Sequence, residues 1–264
     1  MLRLAGTQMT NRSDNLRKGV YTFLEVKWNP SPDLVVVAVS YLALVTCLYL
    51  SFRVVTTANV ALNFILYGPV SMLMLGVVLP VAYNSVVRKR PMSATGITSS
   101  NVALSLGLGI VLGANTYMNT LNKITLPPPS ELLPLAVMAV TVGLFESVFF
   151  RGWVQLRLED AFGAIPAIVL GAGLYSLYHI GYGMTLQEMR YLFVLGLVFA
   201  TAFRVTRNIA VLWPFYTWIG GLYTNLSEGL RLPFESIYGF TIVFAAMVAS
   251  IAYVYVKTRD RGTA

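Results

Sequence analysis

Long apolar segments constrain the fold of this chain more than any other feature. Eight of them carry few charged side chains; they cover residues 34–52, 59–87, 102–119, 132–156, 164–182, 188–206, 209–226 and 238–256. A helix of about 20 apolar residues is long enough to cross the hydrocarbon core of a bilayer. It also satisfies its own backbone hydrogen bonds, which lipid cannot do. The sequence therefore predicts an all-α, polytopic integral membrane protein with about eight transmembrane helices.

Charged residues are too few for a soluble domain. They make up 11% of the 264 residues, against 56% hydrophobic residues, whereas soluble domains carry about 25% charged residues. We therefore expect membrane lipids to surround most of the chain. The predicted organisation is a basic N-terminal segment (1–33), one membrane domain (34–256) and a basic tail (257–264). No cleaved signal peptide is expected, because the polar start of the chain lacks a short apolar core.

The positive charges predict the orientation. With eight spans, both termini lie on one side of the membrane. Placing that side in the cytoplasm puts 15 of the 19 lysines and arginines in or beside the inner loops and four in the outer loops, as the positive-inside rule requires. The termini are therefore predicted to be cytoplasmic, at the cell membrane if the organism is prokaryotic. The same loop charges explain the net charge of +8, so no nucleic-acid partner is expected.

Residues 11–30 mix basic residues with apolar ones. Two interpretations are equally good: an amphipathic helix that lies on the membrane surface, or a loosely ordered basic tail.

One acid lies deep within a predicted span, and the one histidine of the chain follows an apolar run. Glu146 falls within the apolar run 132–153, and His179, the one histidine of the chain, follows another apolar run; the other acids lie in loops, termini or span ends. The turn between these two spans falls near Phe162 and Gly163. At about 1.5 Å per residue, Glu146 and His179 each lie about 24 Å from that turn. An antiparallel helix pair therefore places them at the same depth.

Equal depth points to a joint site. A charge at the bilayer centre costs at least about 2.5 kcal/mol, so an intramembrane carboxylate indicates a function by default. Glu146 and His179 together can activate water, with the carboxylate as general base. The structural alternatives are that Glu146 pairs with an arginine to lock helices together, and that His179 lies at the membrane interface. Arg151 is about 140° round the helix from Glu146, which favours a contact with a neighbouring helix.

Other intramembrane chemistries lack their residues in this sequence. Proteolysis by two carboxylates needs two intramembrane aspartates, and H-E-x-x-H zinc proteolysis needs two histidines; the spans offer neither. The serine motif of rhomboid-type proteases is also missing. One histidine and one cysteine, Cys47, are too few for a catalytic zinc, which usually has about three protein ligands. No metal and no cofactor are therefore expected.

The segment around Glu146 resembles the first motif of a known family. The run G-L-F-E-S-V-F-F-R-G at 143–152 is similar to the E-E-x-x-x-R motif of the CPBP family, the CAAX prenyl endopeptidases and bacteriocin-processing (Abi) membrane proteins. The run Y-S-L-Y-H at 175–179 matches the second motif, F-x-x-x-H, with Tyr for Phe. The resemblance covers roughly residues 139–226.

This resemblance implies an intramembrane glutamate protease. Glu146 is then the base, His179 its partner and Arg151 the motif arginine, and Ser147 and Tyr175 hold supporting positions. Ser147 replaces a second motif carboxylate. The family's third motif, H-x-x-x-N on the seventh span, is thought to stabilise the oxyanion, and the chain has no second histidine for it. Candidates for this role, or for substrate contacts, lie on span seven: Tyr216, Thr217, Trp218, Tyr223 and Asn225.

Three functions are compatible with these observations. The first is a membrane-embedded endopeptidase that cleaves a membrane-associated peptide or protein. The second is a catalytically inactive scaffold or binding protein of CPBP type, because the third-motif histidine is missing. The third is a small membrane transporter, although transporters usually show repeated halves and this sequence does not. A prenylated C-terminus, a bacteriocin leader and another membrane peptide all stay open as substrates.

Overall fold

The computed structural model describes residues 24–55 and 58–259. The structure is 82% helical and without strands in this part of the chain. Eight helices organise it, and we number them in chain order: α1 Pro32–Val55, α2 Val60–Val87, α3 Val102–Lys123, α4 Pro129–Phe162, α5 Ala164–Tyr182, α6 Leu186–Thr206, α7 Tyr216–Ser227 and α8 Ser236–Thr258. Seven of them, all but α7, are long and apolar enough to cross a membrane. The protein is thus an all-α, multi-pass integral membrane protein.

Helix α7 is shorter than the span predicted at 209–226. It has 12 residues, or about 18 Å, against a hydrocarbon core of about 30 Å. The chain before it is not continuous helix: Arg207 takes a left-handed conformation, and Ile209–Val211 forms one 3₁₀ turn. Pro214 then removes a backbone donor where a longer helix would need one. The predicted seventh span is therefore a short helix packed within the bundle.

Helices α4 and α5 form the centre of the bundle. In the apolar windows of these two helices 61% and 56% of the residues are buried, compared with 17% in α3 and 22% in α8. A helix that is apolar all round and buried on most sides belongs in the interior. The two helices that carry Glu146 and His179 are thus shielded from lipid by the others.

An ionic cluster holds several helix ends together at one face of the bundle. Asp33, at the start of α1, is 1% exposed, although its sequence position indicated a loop. Arg88 Nε and Arg90 Nη1 lie 2.9 and 2.7 Å from its carboxylate oxygens. The Tyr83 hydroxyl donates to the same carboxylate at 3.0 Å, and Arg157 Nη1 lies 4.0 Å away. Asp33 therefore links α1 to the ends of α2 and α4.

A second carboxylate, that of Glu159, links the end of α6 to α4. Glu159, near the end of α4, forms ion pairs with Arg204, whose Nε lies 3.0 Å from Oε1, and with Arg207. Four of the five segments assigned to the inner side from their charge therefore meet at one face of the bundle, and the position of the C-terminal tail stays a prediction. Whether that face is cytoplasmic stays a prediction.

The N-terminal segment crosses the tip of the α4–α5 hairpin. Lys27 and Asn29 donate their backbone N–H groups to the carbonyls of Phe162 and Ala161, at 3.2 and 2.8 Å. Gly163 takes a positive φ here, and a Cβ on it would lie 2.0 Å from the Glu25 carbonyl oxygen. Residues 25–30 are thus extended and bonded, neither an amphipathic helix nor a loose tail. The rest of that prediction, residues 11–23, lies outside the described residues.

We predict that Asp33→Asn lowers the free energy of unfolding by about 3 kcal/mol. Removing one partner of a buried ion pair leaves uncompensated charge, at a cost of about 3–5 kcal/mol. The low end applies because Arg88 and Arg90 are 38% and 32% exposed. Thermal unfolding of the detergent-solubilised protein measures the effect.

The matched control is Asp160→Asn. Asp160 pairs with Arg157 at 3.3 Å, but its side chain is 60% exposed, so its loss should change the stability by less than about 1 kcal/mol. Equal destabilisation by the two variants would contradict the central role of Asp33.

Candidate functional site

Helix α4 changes its winding directly after Glu146. It is α-helical over Pro129–Glu146 and π-helical over Ser147–Gln155. Every residue of the π-helical stretch is buried. Stretches of π-helix are frequent at functional sites, and this one begins at the residue that the sequence singled out.

Two tyrosines of α5 bind the Glu146 carboxylate. Tyr178 donates its hydroxyl to Oε1, and the Tyr175 hydroxyl lies 3.5 Å from Oε2. Both tyrosines are buried, whereas Glu146 keeps part of its surface exposed. Among the described residues, Glu146 has no partner in a salt bridge. The alternative in which an arginine locks Glu146 in a closed ion pair is therefore not what the structure shows.

His179 lies in the last turn of α5 and is 6% exposed. Its Nδ1 is 2.9 Å from the carbonyl oxygen of Tyr175. A carbonyl can only accept a hydrogen bond, so Nδ1 carries the proton, and Nε2 is the acceptor of the neutral ring. The ring stacks on Tyr178 at a centroid distance of 4.1 Å. Tyr178 thus contacts both Glu146 and His179, and their equal depth stays a prediction.

Further aromatic side chains complete the surroundings of His179. The last turn of α5, Tyr178–Tyr182, is a 3₁₀ helix, here named the His179 turn. Tyr182 lies in it, with its ring 5.7 Å from that of His179. Tyr67, from α2, packs edge-on against Tyr182 at 6.0 Å. The sequence reasoning missed Tyr178, Tyr182 and Tyr67. The spacing of Tyr175, Tyr178 and Tyr182 could have indicated the first two, because residues three and four apart share a helix face.

Arg151 lies close to Glu146 without pairing with it. The guanidinium is buried, forms no salt bridge with a carboxylate among the described residues, and donates to Gln155 Oε1 at 3.2 Å. It stacks over the rings of Tyr175 and Phe199, at 5.2 and 6.0 Å. Arg151 therefore connects α4 to α5 and α6, as its angular position predicted. Ser147, in the place of the motif carboxylate, donates to the Gly143 carbonyl at 2.7 Å within its own helix.

The span-seven candidates divide into two groups. Helix α7 runs antiparallel to α4, and Trp218 donates to the Ala136 carbonyl at 3.1 Å. That carbonyl is ten residues, or about 15 Å, from Glu146 along the helix. Tyr223 and Asn225 lie still further along α7, on the side away from Glu146. None of these three side chains hydrogen-bonds to or stacks on Glu146 or His179 within the described structure.

The start of α7 lies nearer to the site. The Tyr216 ring packs on Phe199 at 4.7 Å, and Phe199 packs on Tyr175 at 5.7 Å. Thr217 faces Gly143, one turn before Ser147, so closely that a Cβ on the glycine would lie 2.5 Å from Thr217 Oγ1. Tyr216 and Thr217 thus reach the helices of the site, but neither contacts the carboxylate itself.

A partly buried carboxylate, a buried imidazole and several phenols at the centre of a helical membrane bundle define a polytopic membrane protein with an interior polar site. Residues 128–222 match the family model described as type II CAAX prenyl endopeptidase Rce1-like. The chain thus contains an Rce1-like domain of the CPBP family, in agreement with the resemblance of its motifs. The match runs from α4 into α7 and includes Glu146, Arg151 and His179. No curated protein matches the chain.

We predict that Gly143→Ala lowers the free energy of unfolding by about 1–3 kcal/mol, because the added methyl group forces α4 and α7 apart. Gly220→Ala on α7 is the control, since a Cβ there meets nothing within 4 Å and alanine favours the helix by up to about 1 kcal/mol. Thermal unfolding measures both variants. A Gly143 variant as stable as the Gly220 variant would show that the close contact with Thr217 is not required.

Proposed function

We propose that this protein is a membrane-embedded endopeptidase in which Glu146 and His179 activate water to cleave a membrane-associated peptide or protein. The observation that supports the proposal is the set of contacts around the Glu146 carboxylate. Among the described residues this carboxylate has no salt-bridge partner, and it receives hydrogen bonds from two tyrosines, one of which packs against the His179 ring. The Rce1-like domain supports a membrane protease of this kind.

The hydrogen bonds leave the carboxylate able to act as a base. An ionised carboxylate has about four lone-pair sites, and the two tyrosines use two of them. A bidentate arginine would compete for the same sites more strongly. A water molecule can therefore donate one proton to Glu146 while its second O–H group donates to Nε2 of His179.

The proposed reaction then balances in two steps. The water oxygen attacks the carbonyl carbon of the scissile amide, its proton passes to Glu146, and the carbonyl electrons move to oxygen. The tetrahedral intermediate collapses when the C–N bond breaks, and the departing nitrogen takes the proton from Glu146. The products are a carboxylic acid and an amine, and Glu146 and His179 return to their starting states.

The substrate class follows from the family rather than from the site. The matching family is described as a prenyl endopeptidase, so a peptide with a prenylated cysteine near its C-terminus is the first substrate to test. A leader peptide and an unmodified membrane-associated peptide form the other two arms of the experiment.

A second candidate function is a catalytically inactive scaffold. Two observations favour it: Ser147 stands in the place of a motif carboxylate, and the third-motif histidine has no counterpart. The buried stacking of Arg151 against Tyr175 and Phe199 would then be the main task of the motif, because it holds three helices together.

We predict that Glu146→Gln lowers peptide cleavage by about 10²–10⁴, the typical contribution of a general base. The amide keeps the size of the side chain and its acceptor oxygen for Tyr178, so the fold should be maintained. Cleavage of the three peptide classes by the purified protein in lipid nanodiscs is measured by mass spectrometry. Glu235→Gln, the same change at an exposed residue, is the matched control and should keep full activity.

The scaffold hypothesis predicts a different result. If the wild type, Glu235→Gln and Glu146→Gln all leave every peptide intact, or cleave equally, the endopeptidase proposal is wrong. Selective loss of cleavage in Glu146→Gln and His179→Ala would reject the scaffold.

A further inference from the structure

The hydroxyl group of Tyr182 has no role in the water-activating pair, yet it lies beside it. The oxygen is buried and forms no well-aligned hydrogen bond with a described residue, although the hydroxyls of Tyr67 and Tyr178 approach it. A buried polar group without a good partner costs stability. Such a donor suits a site that is completed by a group arriving from outside, such as a substrate oxygen.

The position of this hydroxyl follows from the geometry of the His179 turn. In a 3₁₀ helix, side chains three residues apart eclipse one another, so Tyr182 lies on the same side as His179. Their ring centroids are 5.7 Å apart, and that of Tyr178 is 5.6 Å from Tyr182. Since Tyr178 also donates to Glu146, one short turn presents the imidazole and two phenols next to the carboxylate.

We propose that Tyr182 donates the hydrogen bond that stabilises the oxyanion during hydrolysis. This inference rests on the proposed endopeptidase function and fills the position that the missing third-motif histidine leaves open. It replaces the earlier candidates Trp218, Tyr223 and Asn225. A tyrosine hydroxyl is an established type of oxyanion donor, and it needs no change of charge to act.

The proposed hydrogen bond from Tyr182 acts while negative charge is on the carbonyl oxygen. When water attacks the carbonyl carbon, the carbonyl oxygen becomes negatively charged, and the Tyr182 O–H donates to it without transferring its proton. When the C–N bond breaks, the electrons return to the carbonyl and the hydrogen bond weakens. The contact is therefore stronger in the transition state than in the ground state, so its loss reduces kcat more than it raises KM.

Two other tyrosines are less suited to this role. Tyr175 donates toward the second oxygen of Glu146 and carries the Arg151 guanidinium on its ring. Tyr67 belongs to α2 and reaches the site through Tyr182. Tyr178 itself is engaged with Glu146, which leaves Tyr182 as the main donor.

The test compares Tyr182→Phe with Tyr41→Phe in nanodiscs, with a peptide that the wild type cleaves. We expect Tyr182→Phe to lower kcat by about 10²–10³, the usual effect of losing one oxyanion donor, with KM nearly unchanged. Its Tm should stay close to that of the wild type, because the hydroxyl forms no well-aligned bond in the free protein.

Tyr41→Phe should show the reverse pattern. Tyr41 donates to the Leu174 carbonyl at 3.0 Å, so its loss should lower Tm by about 2–4 °C and leave kcat unchanged. Tyr182→His restores an N–H donor and should recover part of the lost kcat. A peptide aldehyde, whose hydrate mimics the tetrahedral intermediate, should bind Tyr182→Phe more weakly than the wild type, whereas binding of the uncleaved peptide is unchanged.

The outcomes separate the two proposals. If the wild type cleaves, Glu146→Gln does not, and Tyr182→Phe keeps full kcat, the oxyanion role is wrong and the endopeptidase function stands. If Tyr182→His is as slow as Tyr182→Phe and both have lost stability, Tyr182 is structural and the inference is overturned. If the wild type cleaves no peptide, both proposals are rejected together.

Discussion

The hydrogen bonds from tyrosine hydroxyls to Glu146 are the contacts on which the centre of this protein depends. A carboxylate at the bilayer centre costs at least about 2.5–3.5 kcal/mol. Hydrogen bonds to a charged group contribute about 1.5–3 kcal/mol each. The contacts from Tyr178 and Tyr175 are thus of the size needed to offset that cost without a cation. In the part of the chain that the structure describes, no guanidinium forms a salt bridge with the carboxylate, so its remaining lone pairs stay available to a ligand.

Arg151 is accommodated in a different way. Its charge is spread over the faces of Tyr175 and Phe199, an interaction of about 2 kcal/mol when it is shielded from water. Tyr175 therefore has two tasks: its hydroxyl contacts the anion and its ring the cation. The two opposite charges are held near each other but apart. A direct salt bridge would be a lower-energy arrangement for a purely structural pair, so the separation fits a site with a chemical task.

The sequence predicted the helical membrane fold well, because apolar length alone determines which segments can cross a bilayer. It also predicted one depth for Glu146 and His179 from the rise of an α-helix and a recognisable hairpin turn, but it did not predict the π-helical winding of α4 between Glu146 and that turn. It did not reveal the tyrosines between them. In a chain rich in aromatic residues, Tyr178 and Tyr182 are indistinguishable from core packing until the helix ends in a 3₁₀ turn. The sequence predicted a full span where the structure has the short helix α7, because the apolar run hides the interruption at Pro214. It predicted a loop position for Asp33, because burial at a span end depends on partners far away in the chain.

Helix α1 contacts the structure at both of its ends. At one end, Asp33 forms ion pairs with Arg88 and Arg90. At the other end, Leu48 packs closely on the His179 turn: a Cβ added to Gly181 would lie 2.7 Å from the Cβ of Leu48. Fifteen residues separate these contacts, or about 22 Å of rigid helix. The length of helix α1 between these contacts therefore sets the distance of the His179 imidazole from the charged face. Inserting one residue between the two contacts would lengthen the helix by about 1.5 Å and rotate one end by about 100° relative to the other. Only one of the two contacts, that of Asp33 or that of Leu48, could then be kept. The number of residues between Asp33 and Leu48 is thus as constrained as the identity of the site residues, although α1 contributes no residue to the site.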